Sequence, residues 1–325
     1  MVSQFTDLAI SLLTLGASMA VLAYASRYVI QAVEDFIEFT GLSETSVGFA
    51  LLSVVTSTPE LLVAIFAISA GTPSLSVGDL LGSNVFNVGV VVGVLMLTAG
   101  FLKECPQGLD DVADILLLSS VIPLVLVIVK VPTGFIGLGL LSIFAFSVYR
   151  QIRTGARSTP KSTPDHSGNN PQKTTNKPLT IFKILFGTLV ILVTARFTVS
   201  SALEIAAAYS ILPIFIGALV VAFGTSLPEL SLSIMAVKHG RTHLASANAI
   251  GSNLTNLTLV LGIVFLSSFF SPFSVDITPF FEIIAFVLIT SLIIWYHITK
   301  GGDCRLVGMV LILTYVIFQV VIILG

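Results

Sequence analysis

Charge is what this sequence has least of. Asp, Glu, Lys and Arg make up 10 % of the 325 residues, against 55 % apolar types. Soluble domains carry roughly 25 % charge because they must cover a surface with it, so a water-soluble enzyme of this size is excluded. Basic blocks are missing outside one segment and the net charge is −2, which leaves nucleic-acid binding without electrostatic support. No nucleophile–base pair or phosphate-cradling loop stands out, so no enzymatic activity and no cofactor is expected.

What the chain has instead is long apolar runs and a mean hydropathy of +1.04. A helix needs about 20 apolar residues to cross roughly 30 Å of hydrocarbon, and ten such runs occur, near 8–30, 46–70, 75–99, 111–130, 132–150, 180–209, 212–237, 242–268, 277–298 and 306–324. Lipid cannot satisfy an open sheet edge, and the alternating segments of a barrel are absent, so the expected fold is an all-α integral membrane protein. The first run is too long for a signal-peptide core and is kept as a span.

Residues 154–178, rich in Ser, Thr, Pro, Asn and Lys, interrupt the apolar pattern and read as a flexible solvated linker between two five-helix halves, 1–153 and 179–325. Basic loops stay cytoplasmic, and placing this linker inside puts thirteen of the fifteen basic residues on one side. The expected location is the cell membrane, multi-pass, with both termini outside. Cys105 and Cys304 then face the reducing cytoplasm, which argues against a structural disulfide.

An internal repeat carries the chemistry. At an offset of 169, residues 48–93 align without a gap on 217–262, with 16 of 46 positions identical. Thr56-Ser57-x-Pro59-Glu60 falls opposite Thr225-Ser226-x-Pro228-Glu229, and Gly82-Ser83-Asn84-x-x-Asn87 opposite Gly251-Ser252-Asn253-x-x-Asn256. Five spans per half is an odd number, so the second copy enters the membrane from the opposite side: an inverted-topology repeat with its site near the midplane.

A glutamate at the centre of a span costs roughly 2.5–3.5 kcal/mol on insertion scales, and this chain places two at equivalent depth, in the second and seventh spans. Pro59 and Pro228 each remove a backbone hydrogen bond, which predicts broken helices and freed carbonyls at Val55 and Gly224. Carboxylates, hydroxyls and freed carbonyls at one depth form the all-oxygen cluster that hard cations such as Ca²⁺ prefer. Ser83 and Asn87, like Ser252 and Asn256, share a helical face and can turn oxygens toward the glutamates. Asn84 and Asn253 are read mainly as structural, and Gly82 and Gly251 as close-packing positions.

These residues resemble the paired repeats of the sodium/calcium exchanger family within the cation/Ca²⁺ antiporters, in a minimal, prokaryotic-type form. The resemblance implies alternating-access antiport of Ca²⁺ against Na⁺. It implies Glu60 and Glu229 as central ligands, Thr56, Ser57, Thr225, Ser226, Ser83 and Ser252 as hydroxyl or carbonyl ligands, and Asn87 and Asn256 as the last motif positions. It also implies that Ser53 and Ala222 offer backbone carbonyls to Na⁺. Many family members end the second repeat in Asp where this chain has Asn256, which leaves the pocket two formal negative charges rather than three. Asp79, opposite Asn248, reads either as lining an outer access path or as satisfied by a neighbouring helix. Ca²⁺/H⁺ antiport by the same fold is the alternative function, and a passive cation channel the alternative class. A single chain holding both repeats supplies a complete site, so a functional monomer is expected.

Overall fold

A computed structural model of the chain describes residues 2–40, 53–99, 109–155, 177–238 and 242–324. Most of the linker, Cys105 and the start of the first repeat, 48–52, lie outside them. The helices, in chain order, are α1 (Val2–Thr40), α2 (Thr58–Ser69), α3 (Pro73–Phe86, continued by Asn87–Val92 and Gly93–Ala99), α4 (Leu109–Ile128) and α5 (Thr133–Gly155). The second half holds α6 (Lys177–Tyr209), α7 (Pro213–Ile216, Gly217–Val221, Ala222–Thr225 and Leu227–Lys238), α8 (Thr242–Thr255, Asn256–Val260 and Leu261–Leu266), α9 (Ile277–Lys300) and α10 (Cys304–Leu324). Among the described residues eight stretches are long and apolar enough to span a membrane, and two shorter apolar helices, Thr58–Ser69 and Ala113–Val125, fall in the second and fourth runs.

Hydropathy does not distinguish the inner helices from the outer ones, but burial does. The most apolar stretches of α3 and α8 are 83 % buried, against 22–28 % in α1, α5, α6 and α10. The outer helices turn large apolar side chains outward, such as Leu13, Phe146, Leu185 and Leu313. Lipid solvates such a face as well as a protein core does, so it needs no cover. The two inner helices carry the Gly-Ser-Asn-x-x-Asn motifs, an inside-out arrangement relative to a soluble bundle.

α1 and α6 pack along each other and share one apolar cluster with parts of α2 and α7, while a larger cluster joins α3, α4, α5, α8, α9 and α10. Thr198 donates to Ser18 Oγ at 2.9 Å across the α1–α6 contact. Near the N-terminal end of α1 in the same pair, Ser11 donates to the Glu204 carboxylate at 2.5 Å, which accounts for that acidic residue by pairing.

The two halves interlock. α3 meets α10 where Gly93 and Gly308 approach each other's carbonyls, and α8 meets α5 where Gly262 and Gly137 do the same. Gly93 and Gly262 are repeat mates, so each half lends an outer helix to the other half's inner helix. That exchange of partners is what a two-fold axis in the membrane plane requires. Cys304 is a buried thiol with Sγ 3.7 Å from His297 Nε2.

Candidate functional site

The helix breaks predicted at Pro59 and Pro228 are present and small. Each is a single non-helical residue, Ser57 between the helical residues 53–56 and α2, and Ser226 between Thr225 and Leu227. The ladder closes around it: Ser57 N–H donates to Ser53 O at 3.2 Å and Leu61 N–H to Ser57 O at 3.0 Å, with Ser226 to Ala222 at 3.1 Å and Leu230 to Ser226 at 3.2 Å in the other half. Pro lacks the N–H that would demand a partner, so it is tolerated in the first turn of the following helix. The glutamate then sits in that first turn, where the helix dipole favours negative charge.

Three π-helical turns, Asn87–Val92, Gly217–Val221 and Asn256–Val260, add distortions that the sequence reading did not anticipate. Two begin at the motif asparagines. A π turn adds one residue to the turn and re-aims the side chains on either side of it, and such bulges concentrate at functional sites. No residue type signals one reliably.

Glu60, Glu229, Asn87, Asn256, Thr56, Thr225, Ser57, Ser226, Ser83, Ser252, Ser53 and Asp79 are all buried side chains, and Ala222 is buried beside them. Both carboxylate oxygens of Glu60 and of Glu229, the hydroxyls of Ser57 and Ser226, and the amide groups of Asn87 and Asn256 have no hydrogen-bond partner. Buried polar atoms are almost always paired, so a symmetric set of orphans of this kind marks a place where a ligand belongs. Glu229 and Asp79 both lie close enough to Glu60 to repel it electrostatically. Among the described residues no Lys or Arg is buried, so none of them supplies the counter-charge. Nor do three His, Cys, Asp or Glu side chains of the described residues converge tightly enough to hold an ion alone. The shell must therefore be mixed, with hydroxyl, amide and carbonyl oxygens completing it, which suits hard cations.

The carbonyl positions are matched between halves. Ser53 O accepts from Thr56 Oγ1 at 3.2 Å, and Ala222 O lies 3.3 Å from Thr225 Oγ1. The hydroxyls are less symmetric: Thr225 Oγ1 also lies 3.0 Å from Asp79 Oδ1 and 3.3 Å from Ser83 Oγ, whereas Ser252 Oγ reaches only Ala249 O at 3.5 Å. Asp79 is fully buried against α7, with Oδ1 beside the Thr225 hydroxyl and Oδ2 without a partner. Of the two structural asparagines, Asn84 donates to Leu80 O at 2.7 Å, but Asn253 has both amide atoms unpaired. Gly82 is a close-packing position as expected, since a Cβ there would stand 2.3 Å from Ala218 O.

Thr225→Val should lower stability by about 1–3 kcal/mol, the cost of leaving the buried Asp79 Oδ1 without its donor. Thr56→Val should cost less, because Thr56 bonds only a carbonyl of its own helix. Thermal unfolding of the two purified variants measures the difference.

The comparisons agree with this architecture. The family model for sodium/calcium exchanger proteins matches residues 10–153 and 179–324. A sodium/calcium exchanger of Methanosarcina acetivorans, MaX1, is 28 % identical over 96 % of this chain and 98 % of its own, and the inner membrane protein YrbG of Escherichia coli is 26 % identical over 88 % and 87 %. Among solved structures, the sodium-calcium exchanger NCX_Mj soaked with Na⁺ and Sr²⁺ superposes with a TM-score of 0.63 at 24 % identity, covering 95 % of this chain and 98 % of its own. Native YfkE gives a TM-score of 0.69 at 17 % identity over 96 % and 92 %. With both halves of the chain matched, this multi-pass membrane protein belongs to the sodium/calcium exchanger family and is a transporter rather than an enzyme.

Proposed function

We propose that the protein is a Na⁺/Ca²⁺ antiporter that exports Ca²⁺ in exchange for Na⁺ by alternating access. The observation that carries this reading is the pair of buried glutamates, one from each repeat, with all four carboxylate oxygens unpaired and no buried Lys or Arg among the described residues. Left ionised and empty, such a site is costly, so it is filled with cations throughout the cycle. Ca²⁺ and Na⁺ compete for the same carboxylates, and loading with one excludes the other. The binding set is Glu60 and Glu229 with Thr56, Thr225, Ser57, Ser226, Ser83, Ser252, Asn87 and Asn256, plus the carbonyls of Ser53 and Ala222. Movement of the α1–α6 pair across the larger cluster would open the site to one side and then the other; the separate apolar cluster of that pair supports this.

The same proposal covers the layout: ten spans in two inverted halves, 1–153 and 179–325, joined by a cytoplasmic linker at 154–178, with both termini outside and the monomer as working unit. The basic-residue distribution supports the orientation, and the family match, which skips 154–178, supports the division.

⁴⁵Ca²⁺ flux into proteoliposomes, with Na⁺, K⁺ and pH gradients imposed one at a time, tests it. A Na⁺ gradient alone should drive Ca²⁺ uptake, and a flux indifferent to Na⁺ would overturn the reading. One observation favours Ca²⁺/H⁺ exchange at the same site: Asp79 is a third buried carboxylate able to carry a proton. Uptake that follows pH and ignores Na⁺ would establish that alternative.

A further inference from the structure

The two-fold relation between the halves fails at one buried position, and the failure is chemical. In the second half Asn248 uses its amide nitrogen to bind Glu229 O at 3.3 Å and Ser233 Oγ at 2.9 Å, holding α8 to α7 just behind the glutamate. Its repeat mate is Asp79, and the mate of Ser233 is Ala64. An ionised carboxylate has no hydrogen to donate to a backbone carbonyl, and Ala64 offers no hydroxyl. Asp79 therefore cannot do the work of Asn248.

It faces elsewhere. Thr225 Oγ1 donates to Asp79 Oδ1 at 3.0 Å and stands 3.3 Å from Ser83 Oγ, while Asp79 Oδ2 is buried with no partner. The mate of Thr225, Thr56, bonds only Ser53 O. Contact with Asp79 is thus peculiar to one end of the site, where the helix carrying it is pressed against α7. A Cβ on Gly78 would stand 1.9 Å from Ile214 O, and one on Gly217 would stand 2.8 Å from Asp79 N. The carboxylate is held there by backbone packing. It lies within electrostatic range of both Glu60 and Glu229, and no buried Lys or Arg among the described residues compensates it.

We propose that Asp79 is a charged binding residue of the transport site, which gives it a third carboxylate and makes its two ends unequal. Asn256 shows why the charge can be placed there. It is fully buried with both amide atoms unpaired, on a π turn that packs against α3, and it contributes an oxygen without a charge. The site's total charge sets how many monovalent cations it takes to neutralise it. With Asp79 the protein carries one more than its two glutamates require.

The inference rests on the exchanger reading, and Ca²⁺ binding to purified protein separates the two. Asp79→Asn keeps an oxygen for the Thr225 hydroxyl and removes only the charge. The Hill coefficient for displacement of ⁴⁵Ca²⁺ by Na⁺ should fall by about one, and apparent Na⁺ affinity by about tenfold or more. Adding Asn256→Asp to that variant returns the charge from a different helix and should restore the cooperativity, which a merely structural role for Asp79 would not allow. If Asp79→Asn yields no folded protein, Asp79→Ser paired with Asn256→Asp gives the same comparison. Unchanged cooperativity and Na⁺ affinity within twofold of wild type in Asp79→Asn would overturn the assignment, as would failure of Asn256→Asp to rescue. Wild-type protein that binds Ca²⁺ in an Asp79-dependent way but shows no Na⁺-driven flux would overturn the exchanger reading alone.

Discussion

Glu229→Gln should abolish Ca²⁺ transport while making the ion-free protein more resistant to heat. The two effects have one cause. Both oxygens of Glu229 are buried without a partner, and Asp79 lies close enough to repel them. In the ion-free state the carboxylate therefore contributes repulsion and a desolvation cost, and an amide of the same shape relieves both. In the proposed Ca²⁺-bound state that carboxylate would be a ligand and a counter-charge. Removing one partner of a buried charge pair costs about 3–5 kcal/mol, or ~10²- to nearly 10⁴-fold in affinity. A ligand at 100 times its Kd stabilises by about 2.7 kcal/mol, and this increment should vanish in the variant. Thermal unfolding with and without Ca²⁺, alongside ⁴⁵Ca²⁺ flux, measures both signs. Glu60→Gln should behave in the same way. A variant with normal flux, or one less stable than wild type without ions, would contradict the account.

Among the described glycines, Gly78→Ala should be the most damaging added methyl group. The added Cβ would stand 1.9 Å from Ile214 O and 2.7 Å from its carbonyl carbon, both backbone atoms with no flexible end to give way. Separating α3 from α7 is the only relief, and it also opens the 3.0 Å contact between Asp79 and Thr225. Overpacking costs about 1–3 kcal/mol, and the displaced site should lose roughly tenfold or more in cation affinity. Gly139→Ala is the control: it lies within α5, nothing stands within 4 Å of its Cβ, and the gain in helix propensity should be about 0.5–1 kcal/mol. Thermal unfolding and ⁴⁵Ca²⁺ binding of the pair distinguish a steric effect from a general intolerance of substitution.

Much of the site could be read from residue types alone. Pro, Glu, Ser and Asn do not recur in register between apolar helices by chance, so the repeat named Glu60, Glu229, Asn87 and Asn256 before any contact was known. Asp79 was visible as a mismatch with Asn248, but its direction was not. Whether it meets Thr225 depends on how closely α3 approaches α7, and that distance is set by Gly78 and Gly217, 139 residues apart in sequence. The π turns at Asn87, Gly217 and Asn256 were equally hidden, since they arise from how a helix accommodates its neighbours rather than from a preference of its own residues.

The sequence by itself determined that the chain lives in lipid, that it is built from two related halves of opposite orientation, and which oxygen-bearing residues stand at equivalent depth. Those conclusions need only the apolar runs, their odd number in each half and the repeat, which are properties of the linear order. Only the tertiary structure decided which helices are central, because lipid and helix packing demand the same apolar side chains: α1 and α3 have hydropathies of 1.9 and 2.0 yet burials of 28 % and 83 %. It also decided that the two ends of the site are not alike. Sequence symmetry places Asp79 opposite an asparagine, but the partner a buried carboxylate finds is settled by what stands within 3 Å of it, and here that is Thr225 of the other half.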